Sequence, residues 1–180
     1  CDLFSLDTNK AELIYFTSMI KLQNDRIKGD EEILFVGDSL MWLCLECSSG
    51  REGNGVFVLD APRTGTFTKA LNIGIPQATT EVTLLQLQAV FNKVRPKTMV
   101  ISTTGNDILN GCSPTQVAKN RESIVRLAQL NGVTKLVWMN LIPYQLEANA
   151  SQSKKGALKQ ANSDLEKQMA GLGVLVANAY

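Results

Sequence analysis

Short runs rich in Val, Ile and Leu alternate with helical patterns almost from one end of the chain to the other, and this alternation limits the folds open to it. A strand buried on both faces reads as a continuous apolar run, and parallel strands need a crossover helix to join them. The pattern therefore predicts βαβ units, an α/β fold with a parallel sheet covered on both sides. Strands are predicted at 33–36, 56–59, 70–73, 99–102, 135–141 and 173–177. Leu87, Val90, Phe91 and Val94 recur at i, i+3, i+4 and i+7, the stripe of a helix facing a sheet. Ser113, Pro114 and Gln116 combine an N-cap, a first-turn proline and a capping-box glutamine, opening a helix that Gly132 closes. Leu158, Ala161, Leu165 and Met169 form a further stripe, ended by Gly171 or Gly173. Ahead of the first strand, Asp7 or Thr8 caps a helix carrying Leu13, Phe16 and Ile20. No repeat, low-complexity run or Pro/Gly-rich linker divides the chain. Its organisation is read as an accessory helix within 1–30 followed by one domain over 31–180.

Composition narrows the function. At 180 residues the chain is long enough for a sizeable core. Lys+Arg 18 against Asp+Glu 17 leaves a net charge of +1, without the basic excess expected of a nucleic-acid or anionic-membrane binder. No apolar run reaches the roughly 18–20 residues needed to cross a bilayer. There is no histidine, which excludes His-ligated metal sites and any internal Ser-His or Cys-His pair. The four cysteines, Cys1, Cys44, Cys47 and Cys112, are too few and too scattered for a disulfide scaffold. Cys44-x-x-Cys47 falls inside the helix that follows the first strand, so the pair reads as buried structural cysteines rather than a redox or zinc half-site. The glycine-rich stretch 49–55 lacks the Lys-Ser/Thr of a phosphate-binding loop and reads as a surface loop. Trp42 and Trp138 fit core positions. Cys1 followed by Asp2 resembles the start of a mature bacterial lipoprotein and equally the end of a cut chain; the expectation leans to an exported protein.

In open parallel sheets, ligands bind outside the carboxyl ends of the strands, so chemistry is sought just after each strand. Gly37-Asp38-Ser39-Leu40, Asn72-Ile73-Gly74-Ile75 and Thr104-Gly105-Asn106-Asp107 occupy such places. A serine where a buried strand turns into a helix stands at the sheet rim, in the positive field of the helix N-terminus. Ser39 is therefore a candidate nucleophile, or else a plain helix cap. Met41 in the last position distinguishes the motif from the Gly-x-Ser-x-Gly elbow. Acyl transfer also needs donors converging on an oxyanion. Gly74 offers a backbone N–H and Asn106 a side-chain amide, although each also reads as an ordinary turn or loop residue.

Together these residues resemble the SGNH hydrolases, also called GDSL esterases/lipases. The stretch 33–40, Ile-Leu-Phe-Val-Gly-Asp-Ser-Leu, looks like the first block of that family. The stretches 72–80 and 100–107 are similar to its second and third, and the order holds over 31–180. The resemblance implies a flavodoxin-like three-layer sandwich with a parallel sheet. It also implies a serine acyl-ester hydrolase or acyltransferase without cofactor or metal. Ser39 is then the nucleophile, and the Ser39 N–H, the Gly74 N–H and the Asn106 amide form the oxyanion hole. Residues 142–144 line the pocket, and a small-molecule or carbohydrate ester is the substrate class that the breadth of the family suggests.

Two departures stand out. The third block usually has glycine two residues before its asparagine; here that place holds Thr104, with Gly105 one step later. The Asp-x-x-His block that supplies the general base in the family is missing from the chain as given. Asp38 and Asp107 are weak substitutes, since a solvated carboxylate with a pKa of about 4 is a poor base toward a hydroxyl. The expectation is a base carried by a further C-terminal segment or a second chain or fragment. The alternative is a catalytically inactive SGNH-like binding or structural module.

Overall fold

The computed structural model describes residues 10–39, 41, 69–140 and 152–177. In chain order the elements are α1 (Lys10–Asp25), β1 (Ile33–Gly37), β2 (Ala70–Asn72), α2 (Thr80–Val90) and β3 (Thr98–Ser102). There follow α3 (Gly105–Leu109), α4 (Pro114–Leu130), β4 (Lys135–Met139), α5 (Gln152–Gly171) and β5 (Leu175–Ala177). All strand pairs are parallel, and the order across the sheet is β2-β1-β3-β4-β5. This is the doubly wound flavodoxin-like order, in which the chain reverses direction across the sheet between β1 and β3. The reversal opens a crevice at the carboxyl ends of those two strands, where the segments after β1, β2 and β3 leave the sheet.

Alternation along the strands sets one face of the core. Leu34 and Val36 of β1, Met99 and Ile101 of β3, and Leu136 and Trp138 of β4 pack in one cluster with residues of three helices. These are Leu87 and Val90 of α2, Ile124, Val125 and Ala128 of α4, and Leu165 and Met169 of α5. Most are fully buried. Each such aliphatic side chain stabilises the fold by roughly 1.5–3 kcal/mol relative to exposure. A smaller cluster, Phe16, Ile75, Ala78 and Val82, fastens α1 to the segment after β2.

The predicted strands at 33–36, 70–73, 99–102, 135–141 and 173–177 all appear with shifted ends; residues 56–59 lie outside the described residues. Also outside them are Asp7, Thr8, Trp42, Cys44, Cys47, the stretch 49–55 and residues 142–144. Three local expectations need correction. Leu13 is exposed, because only Phe16 and Ile20 of the α1 stripe turn toward the small cluster. The capping box at α4 does not form: Ser113 makes no side-chain cap bond, and Gln116 donates instead to Asn120 Oδ1 at 2.9 Å. Cys112 is disulfide-bonded, so the scattered cysteines include a bridge although they make no scaffold. Gly132, at φ +87°, follows α4 as expected of a residue that must turn left-handed past a helix end.

Candidate active site

The rim of the crevice begins with Gly37, the last residue of β1, which pairs with Ser102 at the end of β3. A Cβ on Gly37 would stand 2.1 Å from the Ser102 carbonyl oxygen, so the two strands approach as closely as they do only because this position carries no side chain. Just beyond it, the Asp38 N–H donates to Ser102 O at 3.1 Å, and the Gly37 carbonyl accepts from the Ile75 N–H at 2.9 Å. The turn into Ser39 is thus tied on one side to the end of β3 and on the other to the segment after β2. Ser39 is half-buried and stands at a helical start, while Asp38 beneath it is 3% exposed.

The second segment is held by a frame that the motif alone did not reveal. Asn72, the last residue of β2, accepts from the Gly74 N–H at 2.9 Å through Oδ1 and donates through Nδ2 to the Met41 carbonyl at 2.8 Å. It therefore links the expected oxyanion glycine to the backbone two residues past Ser39. Two buried glutamines fix the carbonyls alongside. Gln23 of α1 donates to Gly74 O at 3.1 Å, and Gln86 of α2 donates to Ile73 O at 2.6 Å. Arg26 adds bonds to the Asn72 carbonyl at 3.0 Å and to Gln23 Oε1 at 2.7 Å. The N-terminal helix, read from the sequence as an accessory, is the brace of this loop. Gln23 gave no signal in the pattern, because a buried polar side chain among apolar neighbours looks like a surface position.

The third segment turns on Thr104, whose φ of 123° lies where side-chain-bearing residues are strained. Glycine follows one position late, since Gly105 is already the first residue of α3. The Thr104 side chain is buried, and its hydroxyl has no hydrogen-bond partner. Tertiary bonds maintain the turn in spite of this. Asn106 is half-buried and donates through Nδ2 to the Ala78 carbonyl at 3.0 Å, leaving the second amide hydrogen for another acceptor.

Asp107 makes the firmest tie. Its Oδ1 and Oδ2 accept from the Thr80 N–H at 3.2 and 2.9 Å, and Oδ1 accepts from the Thr80 hydroxyl at 2.7 Å. Thr80 opens α2, so a carboxylate sits on the positive end of that helix, and Asn120 completes the group with a bond to the Thr80 hydroxyl at 3.2 Å. Burial pushes the Asp107 pKa up, while the Thr80 bonds act in the opposite direction. Asp107 is thereby a structural clamp between the loop after β3 and the start of α2, consistent with its rejection as a base.

Sheet order thus brings Ser39, Gly74 and Asn106 to one edge, as expected of loops that follow three adjacent strands. Gly74 N–H and one Asn106 N–H are engaged, with Asn72 and Ala78 respectively. Among the described residues, no cluster of three or more His, Cys, Asp or Glu side chains could hold a metal ion, and no helix is long and apolar enough to cross a membrane.

No protein-family model and no curated protein sequence matches the chain. Solved structures do. A GDSL-like lipase from Bacteroides thetaiotaomicron superposes with a TM-score of 0.67 at 15% identity, over 92% of this chain and 78% of that one. AlinE4, an SGNH-hydrolase family esterase, gives 0.64 at 17% identity over 83% and 76%. A catalytic mutant of Axe2, an acetylxylan esterase from Geobacillus stearothermophilus, gives 0.63 at 16% identity over 84% and 77%. At these identities the likeness is one of fold, and it agrees in sheet class with the α/β architecture described above.

Proposed function

We propose that this chain, which has the fold of the SGNH hydrolases, is the nucleophile-bearing part of a serine acyl-ester hydrolase or acyltransferase. The observation that supports the reading is the adjacency of β2, β1 and β3, since the segments that follow these strands carry a serine, a backbone N–H and a side-chain amide, the group types that acyl transfer needs. Ser39 attacks the ester carbonyl, and the oxyanion is met by the Ser39 N–H, the Gly74 N–H and the Asn106 amide. Gly74 N–H is bonded to Asn72 Oδ1 at rest, so Asn72 yields it as charge develops on the substrate oxygen. The free hydrogen of the Asn106 amide needs no such exchange. The base that takes the serine proton is a histidine supplied from outside these 180 residues, by a further segment or a second chain. An ester of a small molecule or carbohydrate is the substrate, and the disulfide at Cys112 favours an exported protein.

A second reading is favoured by a specific observation. The engagement of the Gly74 N–H with Asn72 Oδ1, in a chain whose 180 residues hold no histidine, suits an SGNH-like module that binds without turnover. One experiment separates the two. The full-length protein, together with any second chain that accompanies it, is incubated with p-nitrophenyl acetate and, in parallel, with a serine-reactive phosphonate. With the base present, Ser39→Ala and Asn106→Ala lower turnover. The 180-residue chain without a base keeps only the residual catalysis of an oxyanion hole, roughly 10³- to 10⁴-fold over water, which Asn106→Ala lowers and Ser39→Ala does not. Labelling at Ser39 supports the hydrolase. No labelling, with turnover unchanged in Ser39→Ala, leaves the binding module.

A further inference from the structure

The hydrogen bond made by Gln86 of α2 leaves the fold no better satisfied than an apolar side chain would. Gln86 is fully buried, and its amide nitrogen donates to the Ile73 carbonyl at 2.6 Å, while its Oε1 has no partner. With methionine at this place the unmet Oε1 would be gone and the Ile73 carbonyl would be unmet instead. The number of orphaned acceptors stays the same, and the glutamine has in addition given up the water that its amide held in the unfolded chain. Gln23, the other glutamine on this loop, differs. It is equally buried, but it donates to Gly74 O at 3.1 Å and accepts from Arg26 at 2.7 Å, so both ends of its amide are used. Stability therefore accounts for Gln23 and does not account for Gln86.

What Gln86 acts on is a single peptide unit. The Ile73 carbonyl and the Gly74 N–H belong to one planar group. A donor on its oxygen draws electron density away from the nitrogen, strengthens the N–H as a donor, and resists rotation of the plane. The flanking N–H groups of Ile73 and Ile75 are tied to β1 at 2.8 and 2.9 Å, which fixes the chain on either side but not this peptide. Its own N–H end is bonded to Asn72 Oδ1 at 2.9 Å. On the hydrolase reading, on which the role rests, that bond is exchanged for the substrate oxyanion. During the exchange only the bond from Gln86 keeps the peptide aimed. We propose that Gln86 is a positioning residue of the oxyanion site, which orients and polarises the Ile73–Gly74 peptide from α2 while touching neither substrate nor reacting atoms. The orphaned Oε1 is the cost that the fold bears for it.

The test compares the full-length protein, with any second chain that accompanies it, with its Gln86→Met and Gln23→Met variants. Gln86→Met is expected to melt within about 2 °C of the wild type. Its labelling at Ser39 by the phosphonate is expected to slow roughly tenfold, less than the roughly 10²- to 10³-fold that loss of a whole oxyanion donor costs. The kcat for p-nitrophenyl acetate should fall by the same factor with KM unchanged. In isotope-labelled protein the Gly74 amide nitrogen resonance, which responds to what bonds the preceding carbonyl, should move upfield. Gln23→Met should instead lower the melting midpoint, since it removes a satisfied amide. A midpoint for Gln86→Met several degrees below the wild type, outright unfolding included, would make the bond structural and overturn the proposal. So would undiminished labelling and turnover in the folded variant, a loss confined to KM, or an unmoved Gly74 resonance. A wild type that is not labelled at Ser39 is a different failure, because it removes the hydrolase reading and the role of Gln86 with it.

Discussion

Thr104→Gly is expected to stabilise the protein, although it removes a buried side chain. A β-branched residue held at φ 123° stores strain, roughly 1–3 kcal/mol for a sparsely populated backbone region. The Thr104 hydroxyl is buried without a partner, and such a group costs about 1 kcal/mol or more. Against this, glycine loses more freedom on folding, roughly 0.5–1 kcal/mol, and the burial of two carbons, Cβ and the methyl, is given up, about 1.6 kcal/mol. The balance is a gain of up to about 2 kcal/mol, centred on about 1, which for a chain of this size raises the melting midpoint by roughly 2–4 °C. Thr104→Ala separates the contributions, because it removes the hydroxyl and methyl but keeps the Cβ that the backbone resists. Its gain should be less than half that of the glycine variant. Differential scanning calorimetry on the three proteins, supported by urea titration, provides the assay. A midpoint for Thr104→Gly at or below the wild type, with Thr104→Ala at least as stable, would refute the reasoning and place the strain elsewhere.

Other consequences are equally open to measurement. Gly37→Ala drives a Cβ to 2.1 Å from a backbone oxygen, so it should destabilise by about 3 kcal/mol or more and abolish phosphonate labelling at Ser39; normal stability and labelling would show that β1 and β3 separate easily. The folded-state pKa of Asp107 is raised, so its titration favours folding below the ordinary carboxylate pKa, and that contribution is lost as pH rises through the folded value. The stability of the wild type relative to Asp107→Asn should therefore fall as pH increases from about 4, and then level off; urea titrations showing a flat or rising difference would contradict the assignment. Of the four cysteines, the bridge at Cys112 leaves at most two titratable by a thiol reagent in the denatured, unreduced chain, and four after reduction; four without reduction would exclude the bridge.

Much of the architecture was legible in the sequence because it depends on local periodicity. Continuous apolar runs separated by helical stripes specify parallel βαβ units, and the placement of Ser39, Gly74 and Asn106 just after successive strands follows from that order. The missing histidine is likewise a plain count. The frame around these residues was hidden, since it is built from contacts between residues far apart in the chain. Asn72 reads as an unremarkable strand end, and Gln23 and Gln86 as polar faces of helices. Only packing shows that each is buried and bonded to the backbone of the loop they support.

Thr104 shows where the division falls. By itself the sequence determined the alternation of strand and helix, the three loops at the carboxyl edge, and a glycine one position later than the turn requires. Tertiary structure alone decided that the turn forms regardless. Asp107 on the N-terminus of α2 and Asn106 on the Ala78 carbonyl hold the loop from outside, and such bonds outweigh a local backbone preference worth only a few kcal/mol.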